Sequence, residues 1–170
     1  MTSLLYFSYG SNMSTPRLVD RGVRSAKAIA VARLERHRLK FQKKSIDGSG
    51  KCDIEFTDHP SDVVYGVVFQ ILASEKTEID KLEGLGKGYN EKSVSIIGQN
   101  GEPVNAVTYY ATNIDLSLKP YHWYKEHVLH GAKQHNLPAA YIKEIEAVES
   151  IPDPNSTRHK KESIYRQLGQ

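Results

Sequence analysis

The 170 residues, 39% hydrophobic, fit one core and exclude two domains of ordinary size. A net charge of +3, from 23 Lys and Arg against 20 Asp and Glu, calls for no polyanionic partner, and the basic runs "RLERHRLKFQKK" and "RHKK" read as solvated faces rather than nucleic-acid contacts. The single cysteine, Cys52, excludes a disulfide framework and a multi-cysteine metal site; with a short apolar start lacking basic residues before it, and no run of ~18 apolar residues, a cytoplasmic chain without export or membrane span is expected.

Residues 4–9, "LLYFSY", predict a buried first strand that runs directly into Gly10, Ser11 and Asn12. The "YGSN" loop supports two readings from the residues alone. One is a strand-ending turn in which Ser11 and Asn12 bond to local backbone. The other is an anion site, where glycine admits a ligand to the main chain and successive N–H groups hold a carboxylate or oxyanion. Ser14 or Thr15 then caps a short helix with Pro16 in its first turn, stopped by Gly22.

Residues 26–41 predict one or two long strands. "DGSG" at 47–50 is a turn before a strand through "CDIEF", and "VVYGVVFQI" at 63–71 is a central strand whose Gly66 marks a bulge or a close backbone approach. Helical spacing begins near Ser74 and ends at Gly84, Gly86 and Gly88. Asn100-Gly101 joins the two strands of a hairpin. Two helices follow Pro120, the second restarting at Leu137-Pro138, and residues 153–170 read as a loosely packed polar tail behind a single domain of 1–152. The element order predicts an α+β fold built on a small, mainly antiparallel β-barrel with flanking helices.

Glu83 lies four residues after Ile79, on the apolar stripe of its helix, so its carboxylate is aimed inward. Burial there would raise its pKa toward what a general acid or base needs; the other reading is a terminal-turn glutamate bonded to the glycine-rich backbone. Tyr124 shares a stripe with Val128, Gly131 and Ala132 and is either plain core or a hydroxyl reaching a ligand from an apolar wall. His122, His127, His130 and His135 crowd one helix without a completing ligand set and read as exposed helix histidines, not a metal site. Cys52 lies within a strand, and no serine stands in a nucleophile-elbow sequence.

"YFSYGSNM", "LEGLGKGYNEKSV" and "WYKEHVLHGAKQHNLPAAYIKEIEAVE", taken in this order, resemble the γ-glutamylcyclotransferase family, with "VARL" and "GVVF" similar to its intervening strands. The likeness runs over residues 4–152. It implies conversion of a γ-glutamyl amide into 5-oxoproline plus a free amino acid or amine, without cofactor or metal, and it admits a homodimer. Carried over by position, Tyr6, Phe7, Ser8, Tyr9, Gly10 and Ser11 would form the substrate loop, with Asn12 bracing it. Glu83 would be the acid/base, and Tyr124 would line the site. Glutathione-specific relatives tend to read YGSL and γ-glutamylamine relatives YGTL at this loop, so Asn12 after Ser11 favours the YGSN group. A binding module that senses γ-glutamyl or carboxylate metabolites without turning them over is the alternative reading.

Overall fold

In the computed structural model, which describes residues 1–167, the first apolar run forms β1 (Ser3–Ser8). It pairs antiparallel with β5 (Val63–Leu72), from Ser3 opposite Leu72 to Ser8 opposite Val67. Antiparallel pairing continues from β5 to β2 (Lys27–Glu35), from β2 to β6 (Tyr89–Gly98) and from β6 to β7 (Pro103–Ala111). A parallel seam with Tyr6 opposite Val107 returns β7 to β1 and closes a five-stranded barrel in the order β1-β5-β2-β6-β7. The mainly antiparallel barrel is thus the one expected, and closure leaves no strand edge open along that ring.

Gly66 in β5 marks a close approach. A Cβ there would collide with the Ser8 carbonyl oxygen and lie 2.6 Å from the Phe7 ring. The register irregularity falls instead on β2, between Ala28 and Ala30 opposite β5. The basic run after Ala26 is split into two strands at Arg36, whose φ of 61° is left-handed. Its second half, β3 (His37–Lys44), pairs with β4 (Gly50–Phe56) as a separate hairpin, with one isolated bridge from Lys43 to Ile114. That hairpin is tied to the barrel by polar bonds. Buried Asp53 accepts from the Ala111 N–H at 2.8 Å and from Gln42 Nε2 at 2.8 Å, and Tyr89 donates its hydroxyl to the Cys52 carbonyl at 2.6 Å.

A single 3-10 turn, Ser11–Met13, links β1 to α1 (Thr15–Asp20). Ser14 stands at the cap position of α1, but its side chain makes no capping bond. Helix α2 (Lys76–Glu83) is led in by a 3-10 turn over Ala73–Glu75 and stopped by Gly84 in the left-handed region, φ 64°. Helices α3 (His122–Gln134) and α4 (Ala139–Glu146) follow the two predicted restarts.

Two expectations are corrected on the helical side. The polar segment after Pro152 is not loose: it forms α5 (Ser156–Glu162), capped by Asn155 and anchored where Arg158 forks onto Asp153 with both bonds at 2.6 Å. Nor is His127 exposed. It is completely buried, with Nδ1 2.8 Å from the Tyr165 hydroxyl and Nε2 3.0 Å from both Arg17 and Glu162. The last residues of the described chain give this histidine polar partners that its own helix lacks.

Candidate active site

Strand β1 delivers the "YGSN" loop to one end of the barrel on a rigid base. Tyr9 is buried and bonds the Tyr109 carbonyl at 2.6 Å, so the chain is fixed immediately before Gly10. The 3-10 turn uses the carbonyls of Gly10 and Ser11, which accept from Met13 N–H at 3.1 Å and Ser14 N–H at 3.3 Å. The N–H groups of Gly10 and Ser11 make no hydrogen bond to other described residues. Gly10 is required for room, since its φ of −114° is ordinary: a Cβ would stand 3.0 Å from Cys52 Cβ and 3.6 Å from the Tyr124 hydroxyl.

Beside this loop is a cavity of about 360 Å³ whose lining includes Tyr6, Ser8, Tyr9, Gly10, Ser11, Asn12, Glu83 and Tyr124. Eight of the nine residues expected from the sequence therefore come together. Phe7 does not: it is fully buried, on the alternate face of β1, with its ring against Gly66.

Glu83 is the last residue of α2 and is half-buried in this cavity. Its Oε1 accepts from Asn12 Nδ2 at 3.0 Å, while Asn12 Oδ1 accepts from Arg21 at 2.8 Å. Asn12 therefore bridges a cation and a carboxylate that do not themselves touch within bonding distance. Burial raises the Glu83 pKa above the ordinary value, and the positive charges of Arg21, Lys43 and Arg17, with the Asn12 bond, hold it back. The outcome is a carboxyl that holds its proton to higher pH than a surface glutamate does.

Tyr124 unites its two sequence readings. Its ring packs edge-on against Phe41 and Trp123, whereas its hydroxyl lies at the cavity and accepts the Cys52 N–H at 3.0 Å. Burial pushes the Tyr6 and Tyr124 hydroxyls well up, with Glu83 adding to both shifts, so both remain neutral. The Cys52 thiol is pushed up to about 12 by burial, which keeps it from serving as a thiolate nucleophile. Among the further lining residues, Arg17, Arg21, Lys43, Lys51 and Tyr89 escape the sequence reading. They come from α1 and the residue that follows it, β3, β4 and β6, and only the closing of the barrel and the folding of the hairpin bring them together.

The histidines do not converge. His127 is held as described, His130 stacks on Tyr165 at 3.9 Å, His122 lies 2.7 Å from Ser150 Oγ, and His135 is 3.0 Å from the Met13 carbonyl. Each has a structural partner, with Tyr165 serving both His127 and His130.

Comparison with known proteins bears on the family and the fold. Residues 63–145 match the AIG2-like family model. The chain is 34% identical to a γ-glutamylcyclotransferase of Bos taurus and 35% identical to one of Homo sapiens, each over 86% of this chain and 79% of the relative. A solved structure described as γ-glutamyl cyclotransferase superposes with a TM-score of 0.88 at 31% identity, covering 98% of this chain and 99% of that one.

Proposed function

Because the chain belongs to the γ-glutamylcyclotransferase family, we propose that it converts γ-glutamyl amides into 5-oxoproline and a free amino acid or amine. The observation that carries this reading is Glu83: a carboxylate with a raised pKa, bonded by Asn12 in the same cavity as the free N–H groups of Gly10 and Ser11.

The substrate brings its own nucleophile. Its α-amine attacks its γ-carbonyl and closes a five-membered lactam, an intramolecular step for which well-oriented groups reach effective molarities of about 10⁵ M or more. The α-amine is an ammonium at neutral pH and cannot attack until it loses a proton. Glu83 takes that proton, the new C–N bond forms, and the γ-carbonyl oxygen becomes an oxyanion. Collapse of the tetrahedral intermediate breaks the bond to the departing amine; Glu83 returns the first proton to that nitrogen and relays the second, lost by the attacking nitrogen as the lactam forms, so the amine departs as an ammonium. The N–H groups of Gly10 and Ser11 are positioned to donate to an anion of the substrate. Tyr6 and Tyr124, both neutral, supply hydroxyls to the walls.

We assign the reaction to residues 1–152, with 153–170 as a polar extension whose α5 packs beside α1 and α3, and we place it in the cytoplasm, a setting that suits a lone buried thiol. Incubation with γ-glutamyl-alanine should release 5-oxoproline. Glu83→Gln keeps the shape but takes no proton, so turnover should fall by about 10²-fold to 10⁴-fold while substrate binding persists. Full activity in that variant would remove Glu83 from the role.

A further inference from the structure

The cations of the cavity are not equally engaged. Arg17 is held by Glu162 at 2.7 Å, Lys51 by Asp47 at 2.8 Å and Lys81 by Glu78 at 3.0 Å. Arg21 donates a hydrogen bond to the neutral amide of Asn12, on the loop side of the cavity. The side chain of Lys43, from β3, forms no ion pair or hydrogen bond with other described residues. Its Nζ rests 5.0 Å from the centroid of the Tyr89 ring, and its stem lies so close to Gly88 that a Cβ there would stand 2.8 Å from Cε. Burial weakens the ammonium, and Glu83 and Asp47 draw it back toward the charged form. Two apolar residues, Ile46 and Leu82, line the same cavity, and Ile46 lies fully exposed on the hairpin turn just beyond Lys43.

Setting aside the paired groups and the exposed Lys87 leaves Arg21 and Lys43 against Glu83. A γ-glutamyl amino acid carries the complementary set: two carboxylates and one ammonium. A γ-glutamyl conjugate of a neutral amine carries one of each, and would leave a half-buried ammonium facing no anion. Arg21 is tied through Asn12 to the loop and so belongs with the glutamyl end. Lys43 stands on a separate element, beside apolar surface that suits a side chain.

We propose that Lys43 is the specificity-determining residue for the departing group, taking a carboxylate on the leaving amine and so selecting γ-glutamyl amino acids over γ-glutamyl conjugates of amines without an anion. This rests on the cyclotransferase reading above. The charge is presented by β3 of the accessory hairpin, and the departing side chain lies toward Ile46 and Leu82.

The test compares γ-glutamyl-alanine with γ-glutamyl-ethylamide, whose leaving amine is close in size but lacks the carboxylate, in the wild type, Lys43→Met and Lys43→Arg. The wild type should favour γ-glutamyl-alanine by about tenfold or more, the scale of one charge-assisted bond. Lys43→Met should lose that preference through KM; because Lys43 also holds the Glu83 pKa down, any change in kcat should be shared by both substrates and leave the ratio of their kcat values unchanged, with folding of the variant checked by its thermal melt. Lys43→Arg should restore most of the preference. Equal losses of kcat/KM on both substrates, or a preference unchanged in Lys43→Met, would overturn the assignment while leaving the cyclisation intact. Absence of 5-oxoproline from both substrates with the wild type would overturn the reaction itself, and the role of Lys43 with it.

Discussion

Asn12 has the one side-chain type that meets both its neighbours. Its oxygen faces the Arg21 guanidinium, which only donates, and its nitrogen faces the Glu83 carboxylate, so the orientation of the amide is dictated by its partners. An aspartate at this place could not donate to Glu83, and a leucine would fill the space without either bond. In Asn12→Leu the charged form of Glu83 loses a hydrogen bond, so its pKa rises further. The base acts as a carboxylate, and activity disappears as pH falls through its folded pKa. The acid limb of kcat/KM against pH should therefore move to higher pH in the variant, measured with γ-glutamyl-alanine from pH 4 to 8. A lower rate with an unmoved limb would make Asn12 a loop brace and nothing more. Glu83 itself is readable from sequence because Ile79, four residues earlier, fixes its face of the helix. The duty of Asn12 is not, because its partners stand 9 and 71 residues away and no local period links them.

The active-site loop owes its position to the helix that crosses behind it. In α3, Gly131 touches the loop directly: a Cβ on it would lie 2.5 Å from Met13 Cβ and 2.6 Å from Ser14 N. Adding a methyl there has two opposed effects. Alanine improves helix propensity by about 1 kcal/mol, but overpacking against a buried neighbour costs about 1–3 kcal/mol, and Met13 is fully buried with most of the obstruction coming from main-chain atoms. The crowding wins. Gly131→Ala should lower Tm by several degrees and reduce kcat/KM, since the displaced residues directly follow Asn12; a more stable variant with unchanged kinetics would refute the packing argument. The stripe Tyr124, Val128, Gly131 and Ala132 foretold this buried face. The same spacing also places His127 on it, three positions after Tyr124 and four before Gly131, so its burial was legible although its expected exposure was not borne out. What the helix pattern does not contain is the carboxylate and the hydroxyl that satisfy it, because Glu162 and Tyr165 lie beyond α4.

Across the whole molecule, the barrel strands could be read from alternation and turn chemistry, whereas the parallel seam between β1 and β7 and the convergence of α1, β3, β4 and β6 on one cavity are products of closure. The C-terminal segment belongs to the same construction. Tyr165 donates to Ser14 Oγ at 2.6 Å, Glu162 holds Arg17 at 2.7 Å, and both meet at His127, so the described chain's two ends are joined through one buried imidazole. Burial, assisted by the nearby Arg17 charge, lowers the His127 pKa to about 4 despite the opposing influence of Glu162. A base whose folded pKa lies below its unfolded value of 6.5 binds fewer protons in the folded state than in the unfolded one. Its neutral form is accommodated without penalty above pH 6.5, and stability falls progressively as pH drops from 6.5 toward 4. Glu162, with its pKa lowered to about 2 by His127 and Arg17, retains its own contribution above pH 4.5, which leaves the window from 6.5 to 4.5 to the histidine. At about 1.4 kcal/mol for each pH unit of difference, the cost should be on the order of 1–3 kcal/mol, or roughly 3–10 °C in Tm for a chain of this length. His37, His130 and His135 are also lowered by burial and contribute to the same slope. The measurement is therefore the difference between wild type and His127→Gln in thermal melts from pH 7 to 4.5. The variant should start less stable, having lost the imidazole bonds, and decline less steeply with acid; parallel curves would show that His127 titrates as an ordinary histidine and that the C-terminal segment leaves its protonation unaltered.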